Sequence, residues 1–221
     1  MKPKRIEQIE RVALEMVVQA LRDYQDQATT IFSEETDHPQ DIAEDILRDA
    51  VASMGLPELH LRLYGKVDVK KAIYVFGPEA EPVALMLDVK VEKGSSATAA
   101  IQMSQTSMSA RMIRSGTAVA HEGGLGEFIE RDGHKMLVVT IIVKFVYSED
   151  GGVRKLEQII VACIPNGSLQ DTYNPDATDT IWRAGRNAPT RGEDFRVRLS
   201  FGDLQTKAGW RVRELDLKEA A

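Results

Sequence analysis

The sequence holds a single cysteine, Cys163, which excludes an intrachain disulfide framework. Its setting in the apolar run IIVACIP marks it as a small buried core residue and not a nucleophile. No apolar run approaches the length needed to span a bilayer. Basic residues open the chain in MKPKRIEQIERV, but no apolar stretch follows them, so no secretory signal is expected and the expected location is the cytoplasm. The triplet Asn166-Gly167-Ser168 matches a glycosylation site and carries no meaning without secretion. His38, His60, His121 and His134 lack metal-ligand spacing, which argues against zinc. The segment HEGGLGEF lacks the Lys-Ser/Thr ending of a phosphate-binding loop and the spacing of a dinucleotide fold, so 115–133 is expected to be a loop. Internal repeats, low-complexity tracts and an interdomain linker are all missing. There is also no basic excess. A net charge of −6 argues against a non-specific nucleic-acid coat protein, though not against a DNA enzyme whose positive charge is local.

What is present fits one globular domain. The 221 residues are 43% hydrophobic and 28% charged, ordinary values for a soluble fold with a sizeable core. The expected organisation is a single domain over 1–221, with N-terminal helices in 5–55 followed by segments over 60–165 and 173–216. Ile6, Ile9, Leu14, Val17, Val18, Leu21 and Tyr24 form an apolar stripe near helical period, predicting one long helix over 6–32. A second helix is predicted over 39–53, with Pro39 in its first turn and Asp37 or His38 as the cap.

The stretch that organises the chain runs from Leu63 to Lys93 and reads as strands broken at Gly77-Pro78. Val83-Ala84-Leu85-Met86-Leu87 is continuously apolar, as a strand buried on both faces would be, and it runs into Asp88-Val89-Lys90. Alternation puts Asp88 and Lys90 on one face and Val89 on the other. Charges at the end of a core strand are costly unless paired or bound to something. With Asp68 upstream, they suggest a divalent-metal phosphodiesterase site in which Asp68, Asp88 and the Val89 carbonyl offer oxygens to a hard cation such as Mg2+. Lys90 would orient the attacking water and offset charge on the phosphorane. This is the Asp…(Asp/Glu)-x-Lys arrangement of PD-(D/E)xK nucleases, with a salt-bridged strand end as the plainer alternative. Glu44, on the second helix, is either an auxiliary acid at this site or part of a solvated face.

A polar helix is predicted over 97–113, where Gln102 and Gln105 could touch a DNA backbone. Strands are predicted over 135–147 and 155–164, joined by a Ser-Glu-Asp-Gly-Gly turn. The basic residues gather late. Arg183, Arg186, Arg191, Arg196 and Arg198 face only Glu193 and Asp194 as local acids. Arg196 and Arg198 alternate with Val197 and Leu199, so a strand would project both guanidinium groups from one face, where they could read guanine edges in a major groove. The solvated outer face of an amphipathic strand is the alternative. GWRVRELDL reads as a closing strand.

Taken together, these segments resemble the SfiI-type restriction endonucleases. The likeness runs through VVQALRDYQDQATTIF, the AEDI around Glu44, GKVDVKK with Asp68, LDVK ending at Lys90, and IQMSQ at Ile101 to Gln105. Its most specific part is late: YNPD at Tyr173 to Asp176, then AGRNAPTRGE, RVRLSF and WRVREL. The resemblance implies a PD-(D/E)xK fold, an α/β architecture with a mixed sheet flanked by helices. It implies Mg2+-dependent cleavage of double-stranded DNA, with metal-binding acids at Asp68 and Asp88 and a catalytic lysine at Lys90. Base-reading arginines would fall at Arg196 and Arg198, with Arg186, Asn187 and Arg191 in the same DNA-binding segment. It further implies a homodimer on each site, assembled as a homotetramer that binds two copies of an interrupted GC-rich palindrome, and a companion methyltransferase. The position before the first acid, usually Pro in such nucleases, is Val67 here. Two rival functions are a structure-selective repair or recombination nuclease on the same fold, and a catalytically silent DNA-binding protein.

Overall fold

The computed structural model describes residues 1–55, 71–76, 81–94, 97–131, 133–185 and 195–217. Three helices open the chain: α1 (Pro3–Asp23), α2 (Gln25–Glu34) and α3 (Pro39–Ala52). The long helix expected over 6–32 is therefore two. The chain bends at Tyr24, whose φ of −97° and ψ of 6° leave the helical region, although neither Pro nor Gly stands at the junction. The bend lets α2 lay Ala28 and Phe32 on the sheet, where the Phe32 and Phe145 rings stack at 6.4 Å. Helix α3 begins as its sequence indicates. Pro39 occupies the first turn, and the His38 side chain accepts a hydrogen bond from the Gln40 amide.

The strands follow in the order β1 (Lys71–Phe76), β2 (Glu81–Lys93), β3 (Thr98–Ile101), β4 (Ala110–Arg114), β5 (Thr117–His121), β6 (Phe128–Arg131), β7 (His134–Asp150) and β8 (Val153–Ile164). A short helix α4 (Gln170–Tyr173), strands β9 (Trp182–Ala184) and β10 (Val197–Ser200), helix α5 (Phe201–Lys207) and strand β11 (Val212–Asp216) complete the described chain. The main sheet is mixed, in the order β1-β2-β7-β8-β11, with β6 paired to the start of β7. Among the described strand pairs only β2 and β7 run parallel, with Asp88 opposite Ile142 and Lys90 opposite Lys144.

Both faces of β2 are covered, as its unbroken apolar run requires. Val83, Leu85, Leu87 and Val89 join the main core, to which α1, α2 and α3 also contribute. Ala84 and Met86 form a smaller cluster with Met136 and Val138 on the other face. The β7–β8 hairpin turns at Gly151-Gly152, where φ values of 57° and 86° suit glycine and a tight two-residue connection.

Two expectations fail between β2 and β7. The segment 97–113 is not a helix: it holds β3, a single 3-10 turn at Met103–Gln105 and β4. Its apolar residues alternate in β3, where Ala99 and Ile101 are buried and Thr98 and Ala100 are half-exposed, and this period of two overrides the weaker helical match. The segment 115–133 is more ordered than a loop. It contains β5 and β6, and Ser115-Gly116 turn the β4–β5 hairpin with φ values of 49° and 82°.

A polar anchor fixes the approach to β9. Asn174, fully buried, accepts from the Arg111 amide at 2.8 Å and donates to the carbonyls of Arg111 at 3.0 Å and Asp176 at 2.9 Å. Asn174→Ala would strand several buried backbone groups and should lower stability by about 2–3 kcal/mol, measurable as a shift in urea midpoint at unchanged slope.

Candidate active site and nucleic-acid face

The end of β2 carries an acid, a carbonyl and a base in consecutive positions. The Asp88 carboxylate is 2% exposed and pairs with Lys90 Nζ at 2.7 Å, while the Lys90 side chain is 22% exposed. Alternation along β2 puts the two on one face. The carbonyl of the intervening Val89 is met by α3. Gln40 Nε2 donates to it at 2.9 Å and also to Glu44 Oε1 at 2.8 Å. Glu44 is thus tied, through one amide, to the carbonyl beside Asp88. The cleft between α3 and β2 is lined by Asp41, Glu44, Asp45 and Arg48 with Leu87 and Val89. Arg48 is engaged by Asp45 at 2.7 Å, so the acidic residues dominate this cleft.

Asp68 lies outside the described residues, as do Arg186, Asn187 and Arg191. Among the described residues, no cluster of three or more His, Cys, Asp or Glu forms a cation cage. The donors that are present are hard oxygens, and a lysine ammonium sits on the buried Asp88 carboxylate. A divalent cation prefers that donor chemistry, so the residues fit such an ion.

Beyond Lys90, the same face of β2 continues to Glu92. Glu92 pairs at 2.5 Å with Lys144 Nζ, on the neighbouring strand β7. Lys144 is 1% exposed and also donates to the Thr98 carbonyl at 3.0 Å. Burial lowers its pKa, opposed by its hydrogen bond to Glu92. Thr98 opens β3, an outer strand of a small sheet ordered β3-β10-β9. Arg198 stands opposite Ala100 of β3 and Arg183 of β9. Its Nε donates to Thr98 Oγ1 at 2.7 Å. Arg183 is held by Asp203 at 2.7 Å, which neutralises a like-charge pair across the strands.

Arg196 is half-buried just before β10, and its carbonyl accepts from the Gly185 amide at 2.7 Å. The β4–β5 hairpin packs against the same region, with Arg114 over the Phe195 ring at 4.5 Å and His121 edge-on to it at 4.7 Å. Gln102 is exposed and Gln105 half-buried, at a strand end and in the 3-10 turn. They do not share one helical face, because no helix exists there.

The structure therefore brings Asp88, Lys90, Val89 and Glu44 together. It connects Arg198 to the same strand through Thr98, Lys144 and Glu92. Sequence reading overlooked Gln40, Glu92, Thr98 and Lys144. Lys144 had a visible signal: it is the one charge in the buried run VVTIIVKFV, where an unpaired ammonium would be costly. Glu92 continues the alternation of Asp88 and Lys90. Gln40 and Thr98 had none.

Among solved structures, this mixed sheet with its packed helices has its likeness in restriction endonucleases. At a TM-score of 0.78 the fold matches a crystal structure of the restriction endonuclease BglI bound to its DNA recognition sequence, with 15% identity over 97% of this chain and 91% of that one. The likeness is greater to a crystal structure of tetrameric restriction endonuclease SfiI bound to cognate DNA: TM-score 0.89, 27% identity, all of this chain and 88% of that one. The type II restriction enzyme SfiI of Streptomyces fimbriatus is 31% identical over 95% of this chain and 84% of its own length. The family model for type II restriction enzyme SfiI matches residues 22–215. The chain belongs to the SfiI family of type II restriction enzymes, which are site-specific deoxyribonucleases.

Proposed function

We propose that this chain hydrolyses phosphodiester bonds of double-stranded DNA at a palindromic, interrupted GC-rich site, with Mg2+ as cofactor and Asp68, Asp88 and Lys90 as catalytic residues. The observation that carries this reading is the buried Asp88 carboxylate, ion-paired with Lys90 beside the Val89 carbonyl. Asp68, Asp88 and the Val89 carbonyl would hold the cation, and Glu44 would assist as an auxiliary acid. When bound, Mg2+ supplies Lewis-acid polarisation of the phosphate and lowers the pKa of water. The residues do the rest. Asp88 fixes the Lys90 ammonium at the mouth of the site, and Lys90 orients the attacking water and offsets negative charge growing on the phosphorane. Gln40 holds the Val89 carbonyl and the Glu44 carboxylate in fixed relation.

Arg196 and Arg198 are the proposed base readers, with Arg186, Asn187, Arg191, Gln102 and Gln105 contacting the duplex around them. A two-fold dimer presents the same arginines to each half of a palindrome. Two such dimers would form a tetramer engaging two sites, as the relative named tetrameric suggests. The domain is read as one unit over 1–221, with its catalytic core in 60–165 and its DNA-reading segment in 173–216. Such an enzyme works where the host genome lies, in the cytoplasm, and requires a methyltransferase that protects that genome. No helix among the described residues is long and apolar enough to cross a membrane.

The test is a digest of a large sequenced DNA by the purified protein, with Mg2+ and with EDTA. Discrete fragments only with Mg2+ are expected, and their ends map the site. A smear would overturn site specificity, and identical fragments in EDTA would overturn the metal assignment.

A further inference from the structure

Arginine can meet a guanine edge through two of its faces: end-on through Nη1 and Nη2, or side-on through Nε and one Nη. The choice fixes where the base must sit relative to the strand. In this chain the choice is already made. Arg198 Nε donates to Thr98 Oγ1 at 2.7 Å. Nη1 and Nη2 make no hydrogen bond among the described residues and so remain for a ligand. Thr98 sits diagonally across the β3–β10 ladder from Arg198, two residues from Ala100, the direct partner. A one-carbon hydroxyl there meets the guanidinium without crowding the strand.

Thr98 is itself held. Its carbonyl accepts from Lys144 Nζ at 3.0 Å, and Lys144 pairs with Glu92. Glu92 stands on the same strand and face as Asp88 and Lys90. Lys144 is 1% exposed, so its ammonium exists only to serve partners inside the protein.

We propose that Thr98 is a specificity-determining positioning residue, whose hydroxyl locks Arg198 into end-on presentation to a guanine edge while Lys144 ties that assembly to the catalytic strand. The proposal rests on the reading of Arg198 as a base reader. It adds a residue that touches neither base nor phosphate yet sets discrimination at one base pair.

The experiment compares wild type, Thr98→Val, Thr98→Ser and Arg198→Ala on duplexes carrying the mapped site and each of its single base-pair changes. It reads single-turnover cleavage with Mg2+ and equilibrium binding with Ca2+ in its place. Thr98→Val is nearly isosteric and removes the hydroxyl that accepts from Nε. It should lower discrimination about tenfold, at the same base pair at which Arg198→Ala lowers it. Thr98→Ser keeps the hydroxyl and should restore discrimination to near wild type. A merely structural role would lower activity on every duplex alike and leave the ratios unchanged, which would overturn the proposal. So would a loss at a different base pair, or a Thr98→Ser variant as indiscriminate as Thr98→Val. Should Thr98→Val cleave no duplex, the binding ratios decide by the same criteria. If Arg198→Ala itself leaves every ratio unchanged, the base-reading assignment fails, and this inference with it. If Arg198→Ala loses discrimination and Thr98→Val does not, only this inference fails.

Discussion

Asp88→Asn should reduce single-turnover cleavage by about three orders of magnitude or more and leave duplex binding within about threefold of wild type. The substitution keeps the shape of a side chain that is 2% exposed, so packing on β2 survives. It removes one formal charge, and with it the proposed ligand for a cation and the anchor of Lys90, which lies 2.7 Å away. Lys90 is 22% exposed on its side chain and can turn to solvent, so the fold bears little of the cost. DNA affinity comes mostly from contacts between basic side chains and phosphates. Losing a carboxylate near a phosphate relieves repulsion, so binding should hold or tighten slightly. The measurement pairs quenched-flow cleavage with a gel-shift titration in Ca2+. Wild-type cleavage by this variant would place the chemistry elsewhere in the protein. A loss of binding equal to the loss of cleavage would mean that Asp88 organises the DNA face and not the reaction.

Asp88 and Lys90 were legible because a strand buried on both faces makes any charge at its end conspicuous. Val83 to Leu87 are indeed buried, and the next residue is an acid. The same logic found the long β7 and β8, whose Val/Ile runs admit no other structure in a soluble sheet, and the Gly-Gly turn between them. It marked Cys163 as inert, and burial pushes its thiol pKa well above the ordinary range. What escaped depended on contacts distant in sequence. Met108 and Met112 stand at helical spacing, but Ala99 and Ile101 pack inward while Thr98 is half-exposed, a pattern set by pairing with β10 a hundred residues later. Gln40 looked like any helix-surface amide until α3 docked on β2 and brought it to the Val89 carbonyl. The resemblance in YNPD also had a structural basis that the letters alone did not give: Asn174 is fully buried and satisfies the backbone on both sides of itself.

Glu10→Ala should destabilise the protein by about 3–5 kcal/mol without touching any residue of the proposed active site. Glu10 lies on α1 and is wholly buried, as is Arg211 near the end of the described chain. Arg211 Nη2 donates to Glu10 Oε2 at 2.6 Å, and the Asn166 amide donates to Glu10 Oε1 at 2.7 Å. The guanidinium lies 4.3 Å from the ring centroids of both Tyr173 and Trp210. The Tyr173 hydroxyl in turn donates to Glu7 Oε1 at 2.6 Å. One carboxylate thus joins the first helix, the end of β8 and the turn before β11. Removing it leaves a buried guanidinium without its main counter-charge, and removing Arg211 leaves the carboxylate in the same position. Each single change should therefore cost nearly the full amount. Replacing both together, as in Glu10→Leu with Arg211→Met, removes the desolvation cost along with the attraction and should recover much of the loss. Urea denaturation of Glu10→Leu, Arg211→Met and the double variant gives the coupling directly. Strong non-additivity is expected, with the double variant more stable than Arg211→Met alone. Simple additivity would mean that the two charges do not act as a pair, and that the stacked aromatic rings alone hold Arg211 in place.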